Sequence, residues 1–323
     1  KTARKGTTMK TFLKWAGISL ALFVMAKAAW TTMVNTALTS SMAPVDYTQT
    51  VETGGPLEAA YMAMGSQPVE RWEVPAPEED WGTFVAYYPA ALAQTDAQYP
   101  VVVMVNGTGV GASKYPAVFE HLASWGFIVV GSDDPSTCTG ESADATLAWL
   151  LNENADPDSR FYQKVDQANI GICGHSQGGV GVFNAISGQP HGGMYACAVS
   201  LSPTQEDWAE ALKIPYDPSK TTIPTLVLAG TNNDVITPEG MEKLYSKLGG
   251  PRVMALRTGT DHGQMLYAGD GYVTAWLMYW LHGDEEAGKA FWGEAPELAG
   301  NPNWQQVQIS RGASEETSED VVH

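Results

Sequence analysis

The stretch GICGHSQGGVGVF, residues 171–183, places Ser176 between glycines directly after an apolar run. Gly174, Ser176 and Gly178 fit the pattern G-x-S-x-G, in which small residues on either side of the serine let a strand and a helix approach closely. Such a turn strains the serine backbone and lifts its oxygen to the N-terminus of a helix, where the dipole favours developing negative charge. The pattern predicts a nucleophile at Ser176.

A serine hydroxyl is a weak nucleophile unless a neighbouring base removes its proton. The chain has six histidines, and one of them, His262 in RTGTDHGQM, follows the last predicted strand. The other five lie in predicted helices and turns, inside the serine motif or at the end of the chain. We therefore predict that His262 is the base for Ser176.

A carboxylate would fix the tautomer of that base and stabilise its protonated form. The segment LVLAGTNNDVITP ends a predicted strand at Gly230 and offers Asp234. Asp261 is adjacent to the base and poorly placed to reach its ring, and Asp133 and Asp134 end an earlier strand, where a structural role is expected. Asp234 is the predicted acid.

Acyl transfer also needs two hydrogen-bond donors for the oxyanion of the tetrahedral intermediate. The backbone N–H of Gln177, directly after the serine, is one candidate. The loop NGTGVGASKY follows a buried strand and offers the backbone N–H of Thr108 as the second. These two groups form the predicted oxyanion hole.

Strands and helices alternate from Trp81 onwards, and the continuous apolar run over residues 100–106 is typical of a strand buried on both faces. Predicted strands cover 83–89, 100–106, 127–133, 168–174, 195–203, 222–230 and 252–259, and predicted helices cover 115–126, 143–154, 177–187, 238–249 and 271–283. This alternation requires crossover connections and predicts an α/β domain whose mostly parallel central sheet is covered by helices on both faces.

The predicted α/β domain occupies residues 81–292. Before it, residues 29–80 are rich in Thr, Ser, Pro, Gly and Glu and are expected to be a linker and entry segment with one short helix near 57–64. After it, residues 293–323 form a polar, acidic tail without periodicity, for which no regular structure is expected unless a partner holds it.

Residues 1–28 are typical of a targeting signal: Lys10 and Lys14 precede an apolar run over 15–26, and Ala26 and Ala28 are small residues suited to signal peptidase. This apolar run is short for a membrane-spanning helix, which needs roughly 20 residues. The pattern predicts export to the periplasm or cell exterior, or a membrane tether facing a non-cytoplasmic compartment. Cleaved signal peptide and retained anchor both stay open.

The chain has 323 residues, of which 44% are hydrophobic and 17% charged, and its net charge is −18. This charge argues against a nucleic-acid partner, because binding to phosphates requires clustered cations. Neither a G-x-G-x-x-G helix start nor a phosphate-binding lysine loop is present, and no cofactor or metal is expected. Cys173 is expected to be buried; Cys138 and Cys197 are either bridged or free.

The segments NGTG, HLASWGFIVVGSDD, GHSQGG, AGTNNDVITP and DHG together resemble α/β-hydrolases of the dienelactone hydrolase, chlorophyllase-like and cutinase/polyester hydrolase group, over roughly residues 81–283. The resemblance implies an α/β-hydrolase fold with an eight-stranded sheet, and a serine carboxylester hydrolase without a metal. Only 20 residues separate Pro203 from Pro224, so no large lid is expected.

Two positions depart from the polyester hydrolases. Those enzymes carry an aromatic residue after the glycine of the oxyanion loop and a Trp after the proline that ends the strand following the serine helix. This chain has Thr108 and Thr204 there, so an aromatic polyester is not the indicated substrate. Trp208 and Tyr216 lie in the following segment, and both cleft lining and core or surface packing stay open for them.

These patterns predict a serine esterase that acts through an acyl-enzyme on small-molecule or lipid-like esters. Two alternatives stay open. An acyltransferase would use the same triad of Ser176, Asp234 and His262, and an accessory subunit of a larger membrane assembly could retain the fold, with both terminal extensions contacting the membrane or a protein partner.

Overall fold

A computed structural model describes residues 42–232 and 235–312. Within these residues the chain forms one nine-stranded sheet in the order β1-β2-β4-β3-β5-β6-β7-β8-β9. The strands are β1 Val69–Pro75, β2 Thr83–Pro89, β3 Tyr99–Val105, β4 Ile128–Ser132, β5 Val165–His175, β6 Tyr195–Leu201, β7 Thr225–Asn232, β8 Arg252–Asp261 and β9 Trp304–Ser310. The strands from β3 to β8 are parallel to one another, whereas β1, β2 and β9 pair in antiparallel fashion at the two edges.

Helices cover both faces of the sheet, as the fold-class prediction requires. The α-helices of the described residues are α1 Tyr47–Thr50, α2 Pro56–Met62, α3 Pro116–Ser124, α4 Glu141–Ala155, α5 Gln177–Gly188, α6 Glu206–Ala211, α7 Pro238–Lys247, α8 Met265–Ala268, α9 Asp270–His282, α10 Glu285–Gly288 and α11 Glu297–Gly300. This architecture confirms an α/β-hydrolase fold.

The buried strand β3 shows how the core is divided between the two faces. Successive side chains of a strand point to opposite faces of the sheet. Val102 and Met104 lie in the same apolar cluster as helices α3 and α9, whereas Val101 and Val103 lie with helix α4 on the other face. A strand covered on both sides must be apolar at every position, which explains the unbroken run in this part of the sequence.

The two edge strands lie outside residues 81–292, the predicted limits of the α/β domain. β1 lies in the segment predicted to be a linker and entry segment over 29–80, and β9 lies in the segment predicted to be an irregular tail over 293–323. The sheet therefore extends beyond residues 81–292 at both ends and has nine strands instead of the eight that the resemblance implies. Both strands are half-exposed and are interrupted by polar residues, so neither shows the continuous apolar run of an inner strand.

A buried carboxylate attaches the N-terminal part of the described chain to β8 and β9. Glu58 of α2 is fully buried, and its Oε1 accepts hydrogen bonds from Arg257 and from the Trp304 indole, at 2.9 and 2.8 Å. Its Oε2 accepts from Asn301 and from the Gly54 N–H, at 2.8 and 2.7 Å. Both oxygens are satisfied, which is the condition for burying such a charge at acceptable cost.

The predicted targeting segment, residues 1–28, lies outside the described residues. No helix within 42–232 or 235–312 combines the length and apolar character needed to cross a membrane. The three cysteines are free and buried, so the bridged alternative for Cys138 and Cys197 does not occur. Burial raises the pKa of the Cys173 and Cys197 thiols, which keeps them in the unreactive protonated form.

Candidate active site

Ser176 lies on the turn between the end of β5 and the start of α5. Its backbone has φ of 59° and ψ of −121°, a region that non-glycine residues rarely adopt. A Cβ at Gly174 would lie 2.3 Å from the Gly178 carbonyl oxygen, and a Cβ at Gly178 would lie 2.0 Å from the Val105 carbonyl oxygen. Both positions therefore require glycine, for the reason that the spacing of the motif predicts.

His262 is the histidine that meets this serine. Its Nε2 lies 2.9 Å from Ser176 Oγ, although the two residues are 86 positions apart in the chain. Parallel strands bring their carboxyl ends to one edge of a sheet, and β5 and β8 end directly before Ser176 and His262. Both side chains are half-buried, so the pair is held by the fold and open to a substrate.

The predicted acid, Asp234, falls between the two described parts of the chain. The segment that leads to it is fixed, because Asn232 at the end of β7 is the register partner of Asp261 at the end of β8. Asn232 Nδ2 also donates to the Gly259 carbonyl at 3.0 Å, and the Gly259 N–H donates to Thr231 Oγ1 at 2.8 Å. The end of β7 therefore lies beside the end of the strand that carries His262.

The other carboxylates considered for the acid, those of Asp133, Asp134 and Asp261, accept hydrogen bonds from backbone N–H groups. Asp261 Oδ1 accepts from the Gln264 N–H at 2.8 Å, within the turn that follows β8. Asp133 Oδ1 accepts from the Ser113 N–H at 2.9 Å, and Asp134 Oδ1 accepts from the Ser136 N–H at 2.8 Å. Each of these side chains thus stabilises a loop backbone.

The candidate oxyanion loop follows β3 and lies against the serine turn. A Cβ at Gly107 would be 3.5 Å from both His175 Nδ1 and Ser176 Cβ, so the loop backbone is in contact range of the turn. Thr108 comes next and is exposed. Gln177 is the first residue of α5, and its N–H is one of those that a helix N-terminus leaves without a partner in the helix.

Asn106 is a site residue that the sequence interpretation missed. It is fully buried, its Nδ2 donates to the Ser132 carbonyl at 2.6 Å, and its Oδ1 accepts from the Tyr115 hydroxyl at 2.6 Å. Its own carbonyl accepts from Thr137 Oγ1 at 2.6 Å. Asn106 thereby fixes the start of the loop that carries Thr108. A polar residue that directly ends a wholly apolar strand was the available signal.

The segment after β6 contains Thr204, the second of the two positions that depart from the polyester hydrolases. Thr204 is buried, and its carbonyl accepts from the Tyr216 hydroxyl at 2.9 Å. Tyr216 stacks on Phe183 of α5 with ring centroids 5.3 Å apart, so it packs in the core, and burial raises the pKa of its hydroxyl. Trp208 on α6 is 44% exposed and is the surface aromatic of this segment.

Within the described ranges, no group of three or more histidine, cysteine, aspartate or glutamate side chains is arranged to hold a metal ion. The arrangement that the site offers is a serine hydroxyl on a strained turn, an imidazole at hydrogen-bond distance and the backbone N–H of Gln177 at the start of α5. That set of groups can carry out nucleophilic acyl transfer.

A mostly parallel sheet with a serine turn after one strand and a histidine after a later one defines a member of the α/β-hydrolase class. Residues 47–301 match the model of the PET hydrolase-like family, and the chain belongs to this family.

Individual relatives are more distant. The chain is 28% identical to a bis(hydroxyethyl) terephthalate hydrolase of Streptomyces coelicolor over 177 residues, which are 52% of this chain and 50% of the relative. It is 27% identical to cutinase 1 of Thermobifida cellulosilytica over 165 residues, 49% of this chain and 55% of the relative. It is also 30% identical to the chloroplastic chlorophyllase-1 of Citrus unshiu over 95 residues, 26% of this chain and 28% of the relative. The chain thus spans about half the length of the first two of these relatives.

Proposed function

We propose that this chain is a serine carboxylester hydrolase that acts through an acyl-enzyme on Ser176. The observation that carries the proposal is the 2.9 Å separation between Ser176 Oγ and His262 Nε2 on a strained strand–turn–helix. Membership of the PET hydrolase-like family and similarity to proteins named cutinase and bis(hydroxyethyl) terephthalate hydrolase support it.

In the first half-reaction the Ser176 hydroxyl donates its proton to His262 Nε2 while its oxygen attacks the ester carbonyl carbon. The carbonyl oxygen becomes an oxyanion, which accepts hydrogen bonds from the N–H groups of Thr108 and Gln177. When the intermediate collapses, His262 gives its proton to the departing alcohol oxygen, and the acyl group stays on Ser176 as an ester.

In the second half-reaction a water molecule takes the place of the alcohol. His262 accepts one of its protons, the hydroxide oxygen attacks the acyl carbon, and the carboxylic acid leaves as the proton returns to Ser176. We assign Asp234 the role of orienting His262 and stabilising its protonated form. The segment containing Asp234 starts at Asn232, the register partner of Asp261, which supports that role.

The substrate that we propose is a small-molecule or lipid-like carboxylic ester. Thr108 and Thr204 stand where the polyester hydrolases carry aromatic residues, and Trp208 and Tyr216 are respectively exposed and packed in the core. Among the described residues after β6, the segment between Thr204 and the 3₁₀ turn at Pro218–Lys220 contains one short helix, α6. A soluble ester therefore has to pass only this short segment to reach the site. These features favour an ester without an aromatic acid.

Labelling by a fluorophosphonate tests the nucleophile, because this reagent reacts with activated serines. Wild type and Ser246→Ala are expected to be labelled and to hydrolyse a short-chain aryl ester, since Ser246 is exposed near the end of α7 and away from the oxyanion loop. Ser176→Ala should lose labelling and about 10⁴-fold or more of kcat, with an unchanged unfolding midpoint. Labelling of Ser176→Ala at the wild-type rate, or a folded wild type that is neither labelled nor active, would refute the proposal.

We also propose that the protein is exported, on the basis of the cationic start and apolar run in residues 1–28. Expression of the whole chain in a bacterial host, followed by fractionation and N-terminal sequencing, tests this proposal. We expect the active protein outside the cytoplasm with its N-terminus after Ala28. Full-length protein confined to the cytoplasm would contradict export.

A further inference from the structure

His175, the residue before the candidate nucleophile, contacts the segment that carries the candidate base. Its side chain is buried, and its Nε2 lies 2.7 Å from the backbone carbonyl oxygen of His262. A carbonyl oxygen can only accept a hydrogen bond, so Nε2 must carry the proton and donate it. The contact therefore fixes the His175 tautomer as well as the position of the His262 backbone.

The surroundings of His175 keep its ring neutral. Burial in the core and the facing imidazole of His262, with ring centroids 4.8 Å apart, lower the pKa of His175 to about 3. The hydrogen bond to the His262 carbonyl acts in the opposite direction but is outweighed. A neutral ring here leaves His262 free to accept a proton without a second positive charge beside it.

The turn that carries His262 is shaped by hydrogen bonds of its own. Asp261 and Gln264 hydrogen-bond each other reciprocally, backbone N–H to side-chain oxygen, at 3.0 and 2.8 Å. Both of these residues are exposed, and their bonds shape the turn without connecting it to β5. The His175 hydrogen bond does connect the two, across 87 positions of sequence.

One peptide bond links His175 to Ser176, so the anchor of the base and the nucleophile move as one unit. The peptide bond is planar and stiff, and His175 is itself held in β5 by pairing with Leu201 of β6. A group that is fixed relative to Ser176 thus determines where the His262 backbone lies. This arrangement sets the distance over which the proton passes between Ser176 and His262.

We propose that His175 is a positioning residue for the ester hydrolysis proposed above, on which this inference rests. Its Nε2–H holds the His262 carbonyl, so that the imidazole of His262 stays at hydrogen-bond distance from Ser176 Oγ. His175 touches neither the substrate nor the reacting atoms and acts through His262.

A matched pair of variants separates the hydrogen bond from the volume of the ring. In His175→Gln the side-chain amide presents an N–H at nearly the same reach as Nε2, whereas His175→Met has the same length and no donor. For a short-chain soluble ester we expect kcat of His175→Met to fall about 10- to 100-fold, because small misplacements of reacting groups are costly. KM should stay within about twofold of wild type, and the rate constant of fluorophosphonate labelling should fall with kcat.

His175→Gln should restore kcat and labelling to within about threefold of wild type, because it restores the donor. A folded His175→Met with wild-type kcat and labelling rate would overturn the proposal, and so would a folded His175→Gln as impaired as His175→Met. Neither outcome affects the assignment of Ser176, which fails if Ser176→Ala is labelled at the wild-type rate or if the folded wild type is neither labelled nor active.

Nitrogen-15 NMR of the wild-type imidazoles tests the same inference without a substitution, and decides it should His175→Met not fold. We expect His175 to be the neutral Nε2–H tautomer. A neutral Nδ1–H tautomer, or a ring that is protonated at neutral pH, would overturn the assignment.

Discussion

His121 and His175 are both buried, and their ring nitrogens meet different partners. His121 on α3 has Nδ1 2.6 Å from Asp270 Oδ2 and Nε2 2.9 Å from the Ala63 carbonyl oxygen. His175 at the end of β5 has Nε2 2.7 Å from a backbone carbonyl and faces another imidazole. One ring lies between a carboxylate and a carbonyl, and the other has no anionic partner among these contacts.

Both rings are buried, but their pKa values are shifted in opposite directions. Burial lowers the pKa of both, because a charged ring loses its hydration. At His121 the Asp270 carboxylate and the hydrogen bonds outweigh this effect and raise the pKa, which favours the protonated ring. At His175 the neighbouring His262 adds to the effect of burial and the pKa falls. The partner, and not the burial, decides whether a core histidine is charged.

The difference in pKa shift agrees with the structural role of each ring. The His121 ion pair joins α3 to the first residue of α9, and the Tyr47 hydroxyl from α1 donates to the same Asp270 carboxylate. Three separate parts of the chain meet at this one charge pair. His175 makes a single neutral hydrogen bond within the candidate active site, where a fixed positive charge would oppose proton uptake by His262.

Replacing the carboxylate of the charged pair should have the largest effect on stability. Asp270→Asn leaves a buried histidine without its counter-charge, and breaking a buried ion pair from one side costs about 3–5 kcal/mol. We expect the unfolding free energy of Asp270→Asn to fall by about that amount in urea titrations at neutral pH, with an unchanged m-value.

Asp284→Asn is the matched control for this substitution. Asp284 also accepts a hydrogen bond from a tyrosine of the N-terminal helices, Tyr61 at 2.7 Å, but it is only half-buried and pairs with no histidine in that contact. Its loss should cost about 1 kcal/mol. If Asp270→Asn costs no more than this control, the His121–Asp270 pair is not charged and the comparison of the two histidines fails.

The two rings should therefore change the pH dependence of the unfolding free energy in opposite directions. Folded His175 stays unprotonated down to about pH 3, whereas in the unfolded chain it takes up a proton near its ordinary pKa of about 6.5. Between these values the unfolded state binds more protons, so acid removes about 1.4 kcal/mol of stability per pH unit. His175→Gln should lack this loss, which amounts to about 2–3 kcal/mol between pH 6 and 4.

His121 should behave in the reverse way. Its pKa is higher in the folded state than in the unfolded chain, so its contribution is fully present below about pH 6.5 and is lost as pH rises through the folded value. The stability difference between wild type and His121→Gln should therefore be largest in mild acid and shrink towards alkaline pH. Urea titrations over a pH series measure how each substitution changes the pH dependence of the unfolding free energy. If His175→Gln and His121→Gln change it in the same direction, the assignment of charges is contradicted.

The sequence predicted the inner strands and the longer helices between residues 81 and 292 because their signals are local. The apolar run of β3 and the glycines around Ser176 each carry their physical reason within a few residues. The candidate base could be predicted because it follows the last parallel strand, where strand ends converge. Edge strands β1 and β9 pack only part of their residues against the core, so their sequences lack the continuous apolar run of an inner strand.

The contacts that the sequence did not predict join positions far apart in the chain. Glu58 and Arg257 are 199 residues apart, and either residue alone is typical of a solvated surface. His175 could be rejected as the base from its place in the motif, but its partner is a backbone carbonyl, for which no residue type provides a signal. The charge of His121 likewise depends on Asp270, 149 residues away.

A second histidine–aspartate pair, more exposed than the first, should show the smallest effect on stability. His191 Nδ1 lies 3.1 Å from both carboxylate oxygens of Asp144, but the His191 side chain is 32% exposed. Pairs that water reaches contribute little, about 0–1 kcal/mol, and salt screens them. Asp144→Asn should therefore lower the unfolding free energy by less than about 1 kcal/mol, since an asparagine oxygen can still accept the His191 backbone N–H. The difference should shrink further in about 0.5 M sodium chloride. A loss as large as that of Asp270→Asn would mean that solvent exposure does not separate the two pairs.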